Sequence, residues 1–372
     1  MIPVSRPSVG ENELARIREV FATGWLGMGA LVREFEERVG ALLGVEHVVA
    51  VNTGTSAIHL ALNSLGIGPG DEVVVPSLTF AATIQAILAV GAEPVFVEID
   101  PDTLNVTAED ISRSLSPRTR AILPVHFCGS PCDMDSLTSL AAPRKIHVVE
   151  DAAHAFGSSY KGRKIGALGN TTACFSFDPI KVITCGEGGA VTTSDPELAE
   201  SLRRKRILGI DSDTWSRYQH KRNWSYGVVT TGYRYHMSNI NAAIGLEQIK
   251  RLDEFVERRR AIVGRYDEGF KGFDGVITLK KDINSIAPFM YIIRVPEHRD
   301  ALKDFLKEKG IDTGIHYIPN HLHPLFSRYA PAGSLPRTEA VFREILTLPL
   351  FFELSDSDLD WIIESIINFF KK

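Results

Sequence analysis

Residues 173–191 read ACFSFDPIKVITCGEGGAV. A strand-like run, Ala173 to Phe177, is followed by Lys181 and then by the turn Gly186-Glu187-Gly188-Gly189. A lysine so placed is a phosphate clamp, a covalent nucleophile or a surface charge, and the stretch alone leaves all three open. It is not a P-loop, because there the lysine follows the glycines and here it precedes them.

The flanking sequence supplies a frame. The runs HVVAV (47–51), EVVVP (72–76), PVFVEI (94–99), AILPVHF (121–127) and HVVED (147–151) alternate with helical patterns such as SAIHLALNSLG, TFAATIQAILAVG, TAEDISRSL and DMDSLTSLA. These runs are continuously apolar, as strands are when helices cover both faces of the sheet. The alternation predicts an α/β fold with a mostly parallel central sheet and right-handed crossovers. After about residue 246 the pattern changes. A single long helix over GLEQIKRLDEFVERRRAIVGRYDEGF is expected, then a strand at FMYIIRV, a helix near 299–309 and a closing helix. Two domains are therefore expected, a large one over 1–246 and a smaller C-terminal α+β one over 247–372.

Composition narrows the function. The chain has 372 residues, 44% hydrophobic and 23% charged, which are values of a globular protein. A net charge of −5 supplies no basic field for nucleic acid, so an anionic ligand needs a local site. The opening MIPVSRPSVGENELARI lacks the pattern of a secretion signal, and no apolar run reaches the roughly 18 residues of a membrane span. In DLDWIIESIINFFKK, Trp361, Ile362, Ile366 and Phe369 recur at helical spacing, and a core-facing amphipathic helix is expected. Cysteines at 128, 132, 174 and 185 form no Cys-x-x-Cys pair, so reduced thiols in a cytoplasmic protein are expected and no zinc site is.

In open α/β sheets ligands sit beyond the carboxyl ends of the strands, and three such ends carry unusual residues. The first, Asn52-Thr53-Gly54-Thr55-Ser56, leads straight into a helix. It reads equally as an anion cradle or as a well-capped helix start. The second is VVEDAAHAFGS, where Asp151 ends an apolar strand and His154 follows. That carboxylate either caps the next turn or faces a ligand cation, since burying it unpaired is costly. The third is the Ser176–Lys181 stretch. Together, a phosphate cradle, a buried acid for a pyridinium nitrogen and a lysine for an aldehyde match what pyridoxal 5′-phosphate (PLP) requires. The lysine must then be desolvated or near other cations, so that its neutral amine can form a Schiff base.

The chain resembles the DegT/DnrJ/EryC1/StrS family of PLP-dependent nucleotide-sugar aminotransferases, of aspartate aminotransferase fold type I. The resemblance rests on IPVSRPSVGENEL, GWLGMGALVREFEERV, NTGTSAIHLAL, PSLTFAATIQAILAVGAEPVFVEIDPDTLN, VVEDAAHAFGSSYKGRKIGALGN, FSFDPIKVITCGEGGAV, GYRYHMSNINAAIGLEQI and LPRTEAVFREILTLPLF, in that order. It implies that Lys181 forms the Schiff base and shuttles protons, and that Asp151 pairs with the pyridinium. It further implies that His154 sits near the ring's 3′-oxygen, where many relatives have glutamine, and that Phe80 stacks on the ring face. Gly54, Thr55, Ser56 and Ser176 would hold the phosphate. Relatives usually read Gly-x-Asn-x-Arg-Met where this chain reads GYRYHM; the asparagine reaches the neighbouring subunit's cofactor phosphate, and Arg234 and His236 stand in place of the asparagine and arginine. Arginine remains a charge-assisted partner for a phosphate. In GIHYIPNHLHPLF the spacing of His316, Tyr317, His321 and His323 is like that of a metal site, but no carboxylate or cysteine lies among them. The family carries a similar segment near the sugar end of the pocket, so His316, Tyr317 and also Trp25 are expected on the substrate side, and no metal is expected.

The implied reaction is amino transfer from glutamate to a nucleotide-diphosphate-linked keto-deoxysugar, a 4-keto-6-deoxyhexose, in a homodimer with shared active sites, for the synthesis of surface-polysaccharide (O-antigen) sugars or glycosylated metabolites. The alternatives are a 3-keto sugar aminotransferase, a PLP-dependent sugar dehydratase or a non-catalytic regulatory homologue. Dehydratases replace the lysine by histidine, and an intact Lys181 with Asp151 disfavours the regulatory reading.

Overall fold

A computed structural model describes residues 1–211 and 226–371. Nine strands run through the first two hundred residues: β1 (His47–Val51), β2 (Glu72–Pro76), β3 (Glu93–Val97), β4 (Thr119–Ile122), β5 (His147–Asp151), β6 (Ser159–Tyr160), β7 (Arg163–Lys164), β8 (Thr172–Ser176) and β9 (Gly189–Thr193). All but the small ribbon β6–β7 join one sheet in the order β1-β9-β8-β5-β4-β2-β3. The pairs β8–β5, β5–β4, β4–β2 and β2–β3 are parallel, and β9 runs antiparallel to both β1 and β8.

The continuous apolar runs are explained by how their side chains divide. Along β1, Val48 and Ala50 enter one buried cluster, while Val49 and Val51 enter the cluster on the other face. Val74 and Val148 join the first, and Val73, Val75 and Val149 the second. Alternate residues thus face opposite helix layers, so the strands are largely apolar on both faces, and the buried Glu150 on β5 is bonded to His126 and Thr171.

Three sequence expectations change. The run 121–127 is not one strand: β4 ends at Ile122, and a 3₁₀ turn occupies Phe127–Gly129. Pro124 has no N–H to continue the ladder. The run 94–99 likewise begins one residue earlier and stops at Val97. The expected long helix is two, Asn239–Lys250 and Leu252–Gly269, hinged at Arg251. The first packs on the N-terminal helices Glu11–Thr23 and Ala30–Leu43.

A third apolar cluster gathers residues from Ile262 to Ile366 around the antiparallel strands β10 (Ile277–Thr278), β11 (Tyr291–Arg294) and β12 (Ile345–Leu348). The helices Arg299–Glu308 and Asp356–Phe370 flank it. In the last helix Leu359, Ile362 and Ile366 are buried, whereas Trp361 lies on the exposed side, correcting its expected place in the apolar stripe. Among the described residues no helix is long and apolar enough to cross a membrane. All four cysteines are free and buried.

The turn from β1 into the helix Gly54–Ser64 is pressed against β9. A Cβ on Gly189 would lie 2.3 Å from the Thr53 carbonyl oxygen, a backbone atom with nowhere to go. Gly189→Ala is expected to cost about 2–3 kcal/mol, as core overpacking does. Chemical denaturation measures this, and an unchanged midpoint would show that the Thr53–Gly54 turn is free to yield.

Candidate active site

Four segments meet at the carboxyl ends of β1, β2, β5 and β8. The helix Gly54–Ser64 starts with Thr53 as its cap, whose hydroxyl oxygen accepts from Ser56 N–H at 3.0 Å. The N–H groups of Gly54 and Thr55 begin the helix and have no partner within it. Gly54 is required by proximity, because a Cβ there would stand 2.7 Å from the Ser176 Cβ at the end of β8. From β2 the chain turns through Thr79 and Phe80 into the helix Ala81–Ala89. Asp151 is the last residue of β5, and Lys181 lies in the loop that leaves β8.

These segments, together with residues 316–317, enclose a cavity of about 300 Å³ lined by Gly54, Thr55, Phe80, Asp151, His154, Ser176, Lys181, His316 and Tyr317. Nine of the expected residues are therefore brought together. Phe80 is 57% exposed, an aromatic face presented to the cavity rather than packed in the core. Three expected residues are not in it. Ser56 turns its hydroxyl to Asn52 Oδ1 at 2.7 Å and the Thr53 carbonyl at 2.8 Å, so its side chain serves the cap. Trp25 and Arg234 line a different cavity of about 520 Å³, together with His236. The histidine cluster also separates. His321 is fully buried between Ser77 Oγ at 2.7 Å and Glu339 Oε1 at 3.0 Å, and no metal-holding group of side chains occurs among the described residues.

The electrostatics follow from burial. The Lys181 amine is brought down to about 8 by desolvation, against the opposing pull of Asp178 and Asp151. Its nitrogen lies 4.2 Å from the centre of the Phe289 ring, and no ion pair within 4.0 Å joins it to Asp151. Burial pushes the Asp151 carboxyl up, while hydrogen bonds from Thr83 Oγ1 at 2.7 Å and Ala153 N–H at 3.1 Å, with Lys181 and His126 nearby, favour the anion. His154 stays neutral because it is buried and faces Lys181; it stacks on Phe289 at 4.4 Å and its Nε2 lies 3.2 Å from the Tyr317 hydroxyl. Burial, then Lys181, also lowers His316, whose Nδ1 meets Thr347 Oγ1 at 2.9 Å.

The cavity offers what PLP needs. Open first-turn N–H groups and the Ser176 hydroxyl would suit a phosphate, the Asp151 carboxyl a ring nitrogen, and the desolvated Lys181 amine an aldehyde. His154 Nδ1 is buried without a partner, one more polar atom that a ligand can satisfy. The DegT/DnrJ/EryC1/StrS aminotransferase family model matches residues 7–367. The chain belongs to this family.

Among its relatives, the spore coat polysaccharide biosynthesis protein SpsC of Bacillus subtilis is 40% identical over 383 residues, covering 100% of this chain and 97% of SpsC. The aminotransferase TlmJ from Streptoalloteichus hindustanus is 39% identical, with a TM-score of 0.92 and coverage of 100% and 99%. DesV of S. venezuelae, solved in complex with a ketimine intermediate, is 38% identical with a TM-score of 0.90, covering 97% of this chain and 94% of DesV. The protein is thus a PLP-dependent sugar aminotransferase.

Sequence reasoning missed two side chains of this aminotransferase that touch the key groups. Thr83 looked like an ordinary helix residue, although it lies three residues beyond Phe80. Phe289 is 108 residues from Lys181 and reads only as the start of a strand; no local signal marks it.

A lysine near pH 8 is half neutral there and protonated below. Reductive trapping of Lys181 by PLP and cyanoborohydride, applied to apoenzyme, is expected to rise with a midpoint near pH 8. A midpoint near that of an ordinary lysine, about 10.4, would mean the cavity is wet.

Proposed function

We propose that the enzyme transfers the amino group of glutamate to a nucleotide-diphosphate-linked keto-deoxysugar, a 4-keto-6-deoxyhexose, in making amino sugars for polysaccharide or glycosylated metabolites. The observation that carries this is a dry Lys181 amine sharing one cavity with the Asp151 carboxylate and an open helix N-terminus. SpsC, named for spore coat polysaccharide biosynthesis, supports the pathway class.

Bound PLP supplies an electrophilic aldehyde and an electron-withdrawing ring. Gly54, Thr55 and Ser176 would hold its phosphate, Asp151 would keep its ring nitrogen protonated, Phe80 would stack on the ring and His154 would serve the 3′-oxygen. Lys181 is the covalent anchor. When released, its neutral amine carries the proton from the donor's Cα and later gives a proton to the sugar carbon that receives nitrogen. His316 and Tyr317, at the cavity wall formed by the C-terminal part of the chain, orient the sugar. The site then lies where a unit over 1–246 meets one over 247–372.

A homodimer completes the site in this reading. Among the described residues Lys181 is the only lysine or arginine lining the cavity, which is too few for a cofactor phosphate and a nucleotide diphosphate together. Arg234, Trp25 and His236 line a cavity of their own, which supports a role for them in a neighbouring copy's site. The absence of a membrane-crossing helix among the described residues fits a cytoplasmic setting.

The test is amination of a panel of 3-keto and 4-keto nucleotide sugars with glutamate as donor, with products identified by NMR. A 4-amino-6-deoxy product is expected. Lys181→Ala should reduce turnover by at least about a thousandfold and remove the reducible cofactor adduct. Full activity in that variant, or no product from any sugar, would refute the reading.

A further inference from the structure

Behind Asp151 lies a chain of two hydroxyls. Thr83 Oγ1 lies 2.7 Å from Asp151 Oδ2, and Thr79 Oγ1 lies 3.1 Å from Thr83 Oγ1. Both threonines are almost wholly buried, at 1% and 2% exposure. Asp151 Oδ1 already accepts the Ala153 N–H.

The direction of this chain is fixed by counting hydrogens, since each hydroxyl has one. If Thr79 donates to Thr83 and Thr83 donates to Asp151 Oδ2, every hydrogen finds an acceptor and that oxygen carries no proton of its own. If Asp151 carried the proton and gave it to Thr83, Thr83 would donate to Thr79. The Thr79 hydrogen would then have no acceptor among the described residues. A buried hydroxyl left without a partner is disfavoured, and the ionised carboxylate accepts the stronger, charge-assisted bond.

We infer that Thr79 and Thr83 are positioning residues that hold Asp151 ionised and oriented toward the cofactor's ring nitrogen. The inference rests on the proposed role of Asp151. The chain opposes burial, which otherwise drives this carboxyl toward its neutral form. The other charged or titratable groups facing Asp151 are Lys181 from the loop after β8, His126 from the segment after β4, the Cys174 thiol on β8 and the Tyr317 hydroxyl. None of them donates a hydrogen bond to the carboxylate; Thr83 and Ala153 do.

The same threonines tie the acid to the substrate wall. Asn320 Nδ2 donates to the Thr79 carbonyl at 2.7 Å, three residues after Tyr317. The segment that lines the sugar side therefore braces the strand end from which the hydroxyl chain starts.

Holoenzyme of Thr83→Val, which keeps the shape and removes the hydroxyl, tests this by two readouts besides turnover. The PLP dissociation constant is expected to rise on the order of tenfold, the worth of one hydrogen bond to a charged group. The pH midpoint of the visible absorbance band should rise, because a positive ring nitrogen holds down the proton affinity of the nitrogen bonded to Lys181, and less ionised Asp151 means less positive ring. Thr83→Ser should restore both, which a merely structural role for the threonine would not require. Wild-type affinity and midpoint in Thr83→Val overturn the inference. If that variant does not fold, Thr79→Val decides: a smaller shift in the same direction supports the chain and no shift overturns it. Asp151→Ala separates the two ideas. If it too leaves the affinity and midpoint unchanged, the role of Asp151 itself fails; if it moves them while the threonine variants do not, only the hydroxyl chain fails.

Discussion

Everything in the site depends on keeping a carboxylate and an amine in one dry cavity without letting them pair. A direct Asp151–Lys181 ion pair would fix the lysine in its charged, non-nucleophilic form and occupy the carboxylate that a pyridinium needs. Burial works on both groups, pushing the amine toward neutrality and the carboxyl toward its acid form. The first effect is useful and the second is harmful, and hydrogen bonds counter only the second. Asp151 receives hydrogen bonds from Thr83 and Ala153, while Lys181 is set against the ring of Phe289.

The parallel sheet makes that asymmetry possible. Its strands end side by side, so β5 delivers the acid and β8 the lysine loop to neighbouring positions, and the helix after β1 points its open N-terminus at the same place. Glycines occur where backbone must approach backbone or Cβ: Gly54 against Ser176 and Gly189 against Thr53. Gly189 closes the glycine-rich run after Lys181, so that run supports the start of the helix Gly54–Ser64 through packing.

How much of this was legible in the sequence depended on whether the signal was local. HVVAV, EVVVP and HVVED carry their own boundaries, and the structure keeps them unchanged. AILPVHF outruns its strand because apolarity persists past Ile122, where β4 ends, and beyond it an isolated bridge at Val125 and the bonds of Pro124 and His126 to Asp151 continue toward β5. β9 escaped notice because GAVTT is short, glycine-led and pairs antiparallel within a parallel pattern. The break at Arg251 has neither proline nor glycine to announce it. Within the site, the loop carrying Lys181 and the strand ending in Asp151 were legible because each couples an odd residue to a strand terminus. A capping hydroxyl and a phosphate ligand look alike in sequence, and the bonds of Ser56 to Asn52 and Thr53 put its hydroxyl in the cap. Phe289 and the Thr79–Thr83 chain are products of tertiary folding and had no local trace.

The histidine-rich segment 316–323 shows how one short run divides its labour. His316 and Tyr317 face the cavity, whereas Asn320 and His321 are fully buried and bonded to the end of β2. The distinction is enforced by partners: His321 has acceptors or donors on both ring nitrogens, so it has none left for a ligand. Tyr317 instead leans on His154 and Phe80, the two side chains expected to touch the cofactor ring. Tyr317 thus touches His154 by its hydroxyl and Phe80 by its ring, so the segment's cavity-facing half is joined to both. The anchoring half of the segment keeps those contacts in register by fixing them to the same strand end that supports Asp151.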